Sequence, residues 1–434
     1  MLFMEGEAIM IIDLPYGKES LPLALADYLK VSILRPTMEQ LVAAKDADQI
    51  VLEAMACPIQ SPTLKELARG KNTAAILISD HTRPVPSRQI LPHMLNELRQ
   101  ANPGIDVTLL VATGSHRGTT KAELLEKLGV EIVAREKIVV HDCDDTENNC
   151  EIGILPSGAP LVINKFAAET DLLIAEGCIE PHFFAGFSGG GKSVLPGVCD
   201  RITVLGNHCS RFIDSSYART GIMERNPIQT DIAASIELAK LTYVVNVVIN
   251  DKKQVLAAFA GDPAAAHQSG CDFLWRSCCV QAAPADIVIT TNGGAPLDQN
   301  VYQCVKGLAT AEATAKSGAV LIICAECLDG VGGEGFYQSF QQCDDINSLY
   351  DQILKTPQEK TIIDQWQTQI LARIMKEYKV IFVTRPEIRD LILDMKLVYA
   401  ESIDEAVSAA LSDFGPDPTI TVIPNGISVI IETV

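Results

Sequence analysis

Residues 180–197 read Glu-Pro-His-Phe-Phe-Ala-Gly-Phe-Ser-Gly-Gly-Gly-Lys-Ser-Val-Leu-Pro-Gly and place an imidazole and an amine on either side of a glycine-rich loop. The segment Gly186–Ser193 matches the phosphate-binding pattern G-x-x-x-x-G-K-[ST], in which backbone N–H groups surround phosphates and the lysine reaches the terminal ones. One hypothesis is therefore a nucleotide-binding ATPase that uses Gly186–Ser193.

The residues around this loop argue against an ATPase. A phosphate-binding loop begins where its strand ends and opens a long helix whose N-terminal N–H groups hold the anion. Here the apolar run Asp171–Ile179 stops well before Gly186, and Pro196-Gly197 follows Lys192 too closely for a long helix.

A second hypothesis makes Lys192 a covalent or electrostatic anchor for a bound cofactor, with His182 and the glycines Gly189, Gly190 and Gly191 closing around it. The simplest alternative is a tight surface loop with a solvated lysine. Three consecutive glycines lose much backbone entropy on folding, so a loop that has no further role ranks lower.

Composition limits the class of protein. The chain has 434 residues, more than one hydrophobic core usually supports, so two domains are expected. A net charge of −20 disfavours nucleic acid and anionic membrane surfaces as partners.

The sequence shows no recognisable targeting signal, and this together with the distribution of its cysteines predicts a cytoplasmic protein. The first residues carry acids where a signal peptide needs a basic start, and no apolar run approaches the roughly 20 residues that span a bilayer. The 13 cysteines follow no repeating frame, which suits a reducing compartment. Cys324 and Cys327 form a lone C-x-x-C pair, which is weak evidence for a metal or redox site.

Strand-like runs alternate with helical patterns along the chain, as in an α/β protein. The predicted strands are Ala74 to Ser79, Val107 to Ala112, Asp171 to Gly177, Tyr243 to Ile249, Ile287 to Thr291, Val320 to Cys324, Val380 to Val383 and Thr419 to Ile423. The predicted helices are Met38 to Met55, Ser87 to Gln100, Lys121 to Leu128, Pro227 to Lys240, Val301 to Lys316, Gln365 to Glu377 and Ile403 to Leu411. We expect two α/β domains with mainly parallel sheets, 1–280 and 281–434, and an active site in the cleft between them.

Polar residues concentrate where the predicted strands end, which is where open parallel sheets bind ligands. We call the loops that carry these polar residues the loaded loops. They are Asp80 to Pro86, Thr113 to Thr119, Glu180 to Lys192, Gly206 to His208, and Asn292 to Asp298 with the following Tyr302 to Lys306. Taken singly, each has a structural explanation: Asp80 could cap a turn, and His116 or His208 could be satisfied loop histidines. Their shared position at strand ends favours a functional site.

Several of these segments resemble the nickel-dependent lactate racemase family. The matching stretches are 79–86, 113–117, 180–192 and 300–306, together with 365–367. They occur in order over nearly the whole chain, so they are far more specific than the phosphate-loop pattern alone.

The resemblance implies a nickel-pincer nucleotide, a pyridinium-3,5-bisthiocarboxylic acid mononucleotide that holds nickel through two sulfur-bearing arms and a ring carbon. Lys192 would form a thioamide with one arm, and His208 would be the protein ligand to nickel, a metal that imidazole suits. The other implied roles are acid/base catalysis for His116 and His182, substrate binding for Arg83, Gln303 and Lys306, pocket walls for Tyr302 and Trp366, and cofactor binding for Gly189, Gly190, Gly191 and Asp80, the last with its role left open.

The implied reaction is racemisation or epimerisation of a 2-hydroxy acid. The proton on C2 is too weakly acidic for easy removal beside a carboxylate, and hydride transfer to the cofactor avoids the carbanion. A histidine takes the hydroxyl proton, a planar 2-oxo acid forms, and hydride returns to the other face. The implied partners are a small 2-hydroxy acid and the enzymes that make the cofactor.

Three function classes remain open from the sequence. The racemase uses all the loaded loops, and the ATPase uses one. A non-catalytic nickel or cofactor carrier needs Lys192 and His208 but not both His116 and His182. The sequence identifies neither the particular 2-hydroxy acid nor the oligomeric state.

Overall fold

We describe the protein from a computed structural model. The structure describes residues 9–415 and 417–433. Every helix within these residues is too short or too polar to span a bilayer.

The described residues form strands and helices that are numbered here in chain order. The strands are β1 (Ile9–Tyr16), β2 (Glu19–Ala26), β3 (Lys30–Ile33), β4 (Thr73–Ser79), β5 (Asp106–Ala112), β6 (Lys137–Val140), β7 (Asn149–Ile154), β8 (Pro160–Asn164), β9 (Leu172–Cys178), β10 (Pro181–His182), β11 (Gly186–Phe187), β12 (Leu241–Ile249), β13 (Val255–Gly261), β14 (Cys279–Gln281), β15 (Ala285–Thr291), β16 (Ala315–Cys324), β17 (Lys379–Val383), β18 (Val398–Ala400), β19 (Thr419–Ile423) and β20 (Ile430–Glu432). The α-helices are α1 (Ala47–Ala56), α2 (Leu64–Leu67), α3 (Ser87–Ala101), α4 (Lys121–Leu128), α5 (Val130–Arg135), α6 (Lys165–Glu169), α7 (Arg201–Asn207), α8 (Ser210–Asp214), α9 (Pro227–Ala239), α10 (Pro263–Cys278), α11 (Val301–Glu312), α12 (Glu334–Gln341), α13 (Ile346–Leu354), α14 (Gln365–Glu377), α15 (Arg389–Asp394) and α16 (Ile403–Asp413).

The chain forms two compact units that do not follow a single cut in the sequence. One, the 37–277 unit, consists of residues 37–208 and 215–277. The other, the 278–433 unit, contains residues 278–433 together with 9–36 and 209–214. The division into 1–280 and 281–434 stays a prediction, and the described part of the N-terminal segment lies in the same unit as the C-terminal residues.

The 37–277 unit is built on a six-stranded sheet of order β13-β12-β9-β4-β5-β6. All its pairings are parallel except that of β12 with the edge strand β13. The central strands read as continuous apolar runs because both faces are covered, and β9 is buried along its whole length. The order reverses between β4 and β9, and such a switch point is where α/β sheets bind ligands.

The 278–433 unit contains a second six-stranded sheet, ordered β18-β17-β16-β15-β19-β3 and parallel throughout. Its last strand, β3, comes from the N-terminal segment and pairs with β19. The predicted α/β class with mainly parallel sheets is confirmed in both units.

The hairpin of β1 and β2 packs into the core of the 278–433 unit. Leu14 and Leu23 from the hairpin are fully buried and belong to the same apolar cluster as the central strands of its sheet. At the tip of the hairpin, the Gly17 N–H donates to the Asp298 carboxylate at 2.7 Å, and Gly17 O accepts from the Ala295 N–H at 2.7 Å. The hairpin is therefore bonded to the loop that follows β15.

Two predicted helices differ from those observed. The prediction of one helix from Met38 to Met55 is wrong, because Asp46 accepts a hydrogen bond from the Gln49 N–H and starts α1 at Ala47. The helix predicted to run from Val301 to Lys316 ends at Glu312, since β16 already begins at Ala315 and pairs with β15.

Candidate functional site

Three of the loaded loops follow neighbouring strands of the 37–277 unit. The strands β9, β4 and β5 lie side by side and parallel, so their carboxyl ends share one edge of the sheet. The loop that begins at Thr113 also bonds to the end of the glycine-rich segment, since the Gly114 N–H donates to Gly197 O at 2.9 Å. These three loops therefore lie at one edge of the same sheet.

Asp80 and His116 form a direct pair. Nδ1 of His116 lies 2.7 Å from Oδ2 of Asp80, and a carboxylate can only accept, so Nδ1 carries a proton. Asp80 is 2% exposed, whereas the His116 side chain is 45% exposed. In the neutral ring the lone pair therefore lies on Nε2, and the ring borders a cavity of about 430 Å³. This arrangement orients a histidine as a proton acceptor.

The environment of Asp80 favours its ionised form. Burial alone would raise the pKa of this carboxyl, but hydrogen bonds from His116 and Thr82 together lower it to about 2. Because this value lies below the unfolded value of about 3.9, ionised Asp80 stabilises the fold above that pH. The contribution is lost as the pH falls towards 2.

The glycine-rich segment forms a tight turn and does not open a long helix. Strands β10 and β11 make a two-residue hairpin in which His182 pairs with Gly186. A single 3₁₀ turn follows at Gly190–Ser193, in which the Ser193 hydroxyl donates to Gly190 O at 2.9 Å. The ATPase alternative on Gly186–Ser193 finds no support here, because no helix N-terminus meets the motif and its serine bonds within the turn.

Two buried side chains that the sequence did not single out hold this turn. The His267 ring bonds to Ser188 O through Nε2 at 2.7 Å, and Asn246 Oδ1 accepts from the Gly190 N–H at 3.2 Å. Nδ2 of Asn246 is buried and has no hydrogen-bond partner within the described residues. The glycine triplet was the one sign in the sequence that another side chain packs closely against this turn. A Cβ atom at Gly190 would lie 2.6 Å from Cγ of His267.

The Gly190→Ala substitution is expected to cost more stability than its backbone conformation alone explains. Gly190 has φ +54° and would clash with His267, whereas Gly70 has φ +75° and open space around its Cβ. We expect Gly70→Ala to cost about 1–2 kcal/mol of unfolding free energy, and Gly190→Ala about 1–3 kcal/mol more because of overpacking. Denaturant unfolding of the two variants measures the difference, and equal losses would refute a role for the His267 contact.

Phe184 lies among three of the predicted site residues. Its buried ring makes edge contacts with His182 and His208, with centroids 4.5 and 5.2 Å apart, and Nζ of Lys192 lies 5.7 Å from its centroid. The Ala185 N–H donates to Nδ1 of His182 at 3.2 Å, so the proton of the neutral His182 ring lies on Nε2. The structure thus brings His182, Lys192 and His208 together around one aromatic ring.

His208 is held neutral at the end of α7. Its side chain is buried, and its Nδ1 lies 3.1 Å from Val204 O, which can only accept. Burial, and then the positive charge of Lys192, lower the pKa of His208 to about 3. The ring is therefore neutral at physiological pH, with the proton on Nδ1 and the lone pair on Nε2, which is the form that binds a metal ion.

The remaining predicted residues lie on two helices of the 278–433 unit. Asn300 caps α11 by accepting from the Gln303 N–H at 2.9 Å, which fixes the first turn that carries Tyr302. The Tyr302 hydroxyl donates to Asp364 at 2.8 Å and also accepts a hydrogen bond from Trp366 at the start of α14. Burial and the adjacent Asp364 carboxylate raise the pKa of Tyr302, so its phenol stays protonated.

Gln303 and Lys306 extend the same face of α11, and both are half-buried. Tyr302, one residue before Gln303, is equally half-buried, and Trp366 is buried. The 278–433 unit therefore groups four predicted substrate residues on two packed helices, as the 37–277 unit groups the predicted cofactor and acid/base residues. Arg83, by contrast, is exposed on its loop.

The lone C-x-x-C pair is buried. Cys324 and Cys327 are both inaccessible, and Sγ of Cys327 lies 4.0 Å from Sγ of Cys304 on α11. Burial raises the pKa of Cys324 to about 12 and also raises that of Cys304, so the thiols of these two residues stay protonated.

Comparison with known proteins places the chain among characterised relatives. The lactate racemase N-terminal domain model matches residues 16–221, and the lactate racemase C-terminal domain model matches residues 280–431. A lactate racemase from Thermoanaerobacterium thermosaccharolyticum is 48% identical over 97% of this chain and 99% of its own. One from Lactiplantibacillus plantarum is 46% identical over 98% of this chain and 100% of its own.

Solved structures agree with the sequence relatives. The lactate racemase apoprotein from Thermoanaerobacterium thermosaccharolyticum has a TM-score of 0.95 at 48% identity and covers 98% of this chain and 100% of that one. A Thermotoga maritima protein with a TM-score of 0.64 covers 90% of this chain and 100% of its own, but at 17% identity it shows the fold alone. The predicted enzyme class, isomerase, is confirmed by these relatives. The chain belongs to the lactate racemase family.

Proposed function

We propose that this protein racemises a lactate-type 2-hydroxy acid with a nickel-pincer nucleotide that is attached through Lys192. The observation that carries the proposal is the pairing of Lys192 with a buried, neutral His208. They lie close enough for the lysine charge to lower the histidine pKa, and both contact the Phe184 ring. An amine for covalent attachment and an imidazole for nickel are the two protein groups that this cofactor requires.

The residues present fit the cofactor in a further respect. Asn246 offers a buried, unpartnered amide next to the glycine turn. His208 would be the protein ligand to a nickel ion whose other ligands come from the organic cofactor.

When bound, the cofactor would supply a hydride acceptor and donor for C2 of the substrate. The protein residues must then bind the carboxylate and move the hydroxyl proton. Arg83 is exposed on the loop after β4 and can bind a carboxylate through two N–H groups. In the 278–433 unit, Gln303 and Lys306 are the proposed partners of the substrate, and Tyr302 and Trp366 the proposed pocket walls.

The two proposed acid/base histidines are held in different resting tautomers. Asp80 fixes the proton of His116 on Nδ1, so its Nε2 can accept the hydroxyl proton. The Ala185 N–H occupies Nδ1 of His182, so that ring presents an N–H at Nε2. One ring can accept a proton while the other donates a hydrogen bond, as an enzyme that protonates and deprotonates a hydroxyl requires.

A non-catalytic cofactor carrier is the weaker proposal. A carrier has no use for a buried carboxylate that orients a half-exposed histidine, yet the structure devotes Asp80 to that task. Lactate is proposed as the substrate because the relatives are named lactate racemases. Larger 2-hydroxy acids are the alternatives to be screened.

The test is to co-produce the chain with the enzymes that make the cofactor, and then to measure intact mass, nickel content and racemisation over a series of 2-hydroxy acids. We expect one adduct and one nickel per chain, and lactate turnover. Adduct and nickel without turnover of any 2-hydroxy acid would favour the carrier. Absence of both adduct and nickel would contradict the proposed cofactor.

A further inference from the structure

The loop after β4 carries Asp80 and Arg83 but has little regular backbone bonding of its own. Between β4 and α3 the described backbone hydrogen bonds run from Arg83 N–H to Asp80 O at 3.4 Å, from Ser87 N–H to Val85 O at 2.9 Å and from Gln89 N–H to Pro86 O at 2.9 Å, the last two from α3. Arg83 itself is exposed. The position of this loop must therefore be set by side chains from other elements.

Glu176, on the neighbouring strand β9, holds both ends of the loop with one oxygen. Its Oε1 accepts from the Ser79 N–H at 3.1 Å and from the Ser87 hydroxyl at 3.0 Å. Glu176 is only 2% exposed, and its Oε2 has no hydrogen-bond partner within the described residues. A buried carboxyl bonded on one oxygen costs free energy, so its presence needs a compensating reason.

Lys127, in the last turn of α4, supports the middle of the same loop. Its Nζ donates to Arg83 O at 3.0 Å and lies 3.5 Å from Val85 O. The helix is fixed at both ends, by the Thr120 capping box at its start and by a hydrogen bond from Arg88 to Leu125 O at 2.7 Å near its end. The ammonium group is therefore held on a rigid element.

The charges around Lys127 agree with this contact pattern. Burial lowers the pKa of Lys127, and the nearby Glu176 and Asp80 carboxylates oppose that shift. Burial raises the pKa of Glu176, and the Lys127 charge opposes that shift in turn. The two groups thus support each other's charged form beneath the loop.

We propose that Lys127 and Glu176 are positioning residues that hold the Asp80–Pro86 loop, and with it the Arg83 guanidinium, in the geometry that binds the substrate carboxylate. The substrate part of this inference rests on the proposed function. The mechanical part, that the two side chains hold the loop, does not depend on it. Neither residue is assigned a contact with the substrate.

The test replaces Lys127 by methionine, which keeps the length of the side chain and removes its three donors. Lys121→Met, at an exposed position on the same helix, is the matched control, and Lys127→Arg restores donors. With the cofactor-loaded enzyme we expect Lys127→Met to raise KM for lactate about 10- to 100-fold, while kcat stays within about threefold. Lys127→Arg should recover part of the loss, and Lys121→Met should behave as the wild type.

A second readout separates this inference from the proposed function. Hydrogen exchange of the Thr82 and Arg83 amides, which both donate to Asp80 within the loop, should accelerate about tenfold in Lys127→Met and in Glu176→Leu. Exchange in β5 and in residues 74–78 of β4 should stay unchanged. If the wild type turns over no hydroxy acid, the proposed function fails. The exchange rates alone then test whether Lys127 and Glu176 hold the loop. An unchanged KM in an active Lys127→Met enzyme, or exchange of the Thr82 and Arg83 amides at the wild-type rate, would overturn the inference.

Discussion

The Lys192→Ala variant is expected to carry neither adduct nor nickel, and its racemase activity should fall to the level of buffer. The cofactor supplies the bond-breaking chemistry, so losing its attachment removes that chemistry and does not merely weaken substrate binding. Intact mass and nickel content of variant and wild type, both co-produced with the cofactor-making enzymes, measure the first effect. Racemisation of a pure lactate enantiomer measures the second.

Lys192→Arg separates covalent attachment from charge. Arginine keeps a cation near the Phe184 ring and His208, but its guanidinium stays protonated and cannot replace the lysine amine as a nucleophile. We expect this variant to lack the adduct as completely as Lys192→Ala. Lys121→Ala, at an exposed site, should retain it. An active Lys192→Arg enzyme with bound nickel would instead identify the lysine as an electrostatic anchor.

Substitution of the two histidines should have the next largest effect. His116→Ala and His182→Ala are each expected to lower kcat by about 10²- to 10⁴-fold, the usual contribution of a positioned acid or base. Both variants should keep the adduct, because neither residue is proposed to hold it. If turnover survives the loss of both histidines, the acid/base assignment is wrong.

Single-turnover reactions distinguish the two rings. His182→Ala leaves the Asp80–His116 pair intact, with the lone pair of His116 on Nε2. One lactate enantiomer should therefore still be oxidised to the enzyme-bound 2-oxo acid in this variant, although racemisation is not completed. His116→Ala should lose the oxidation of that same enantiomer. Equal loss of this half-reaction in both variants would contradict distinct roles.

Much of the fold could be predicted because the buried strands are visible in the sequence as apolar runs. The strands β4, β5, β9 and β12 of one sheet are continuous apolar runs, and their predicted bounds agree with those observed to within two residues. The helix α4 was equally predictable, since Thr120 and Glu123 form a capping box at its start. Local chemistry determines these elements, and local chemistry is what a single sequence displays.

The N-terminal hairpin was not predicted. Pro15 and Pro22 interrupt its strands and obscure the alternation of apolar residues, since proline is unfavourable inside most sheets. The pairing of β3 with β19 joins residues almost four hundred positions apart, and no local pattern reports it. The hairpin is stabilised by apolar packing and by Asp298, neither of which is near it in sequence.

The candidate site divides in the same way. His116, His182, Lys192 and His208 were singled out because they follow strand ends and match a family pattern. His267, Asn246, Lys127 and Glu176 were missed because each lies within a helix or strand and acts on a loop distant in sequence. Groups that position other groups leave no motif of their own, and only their contacts identify them.

The N-terminal hairpin also affects how this chain is made. A ribosome releases β1, β2 and β3 long before β19, which pairs with β3 and follows it by almost four hundred positions. The hairpin of β1 and β2 packs against the central strands of the same sheet. At about 5–20 residues per second, these strands wait roughly 20–80 s for their partner. Meanwhile the 37–277 unit, whose sheet is complete at β13, can fold. The apolar side chains of Leu14 and Leu23, which are fully buried in the folded protein, stay without their final burial throughout that interval.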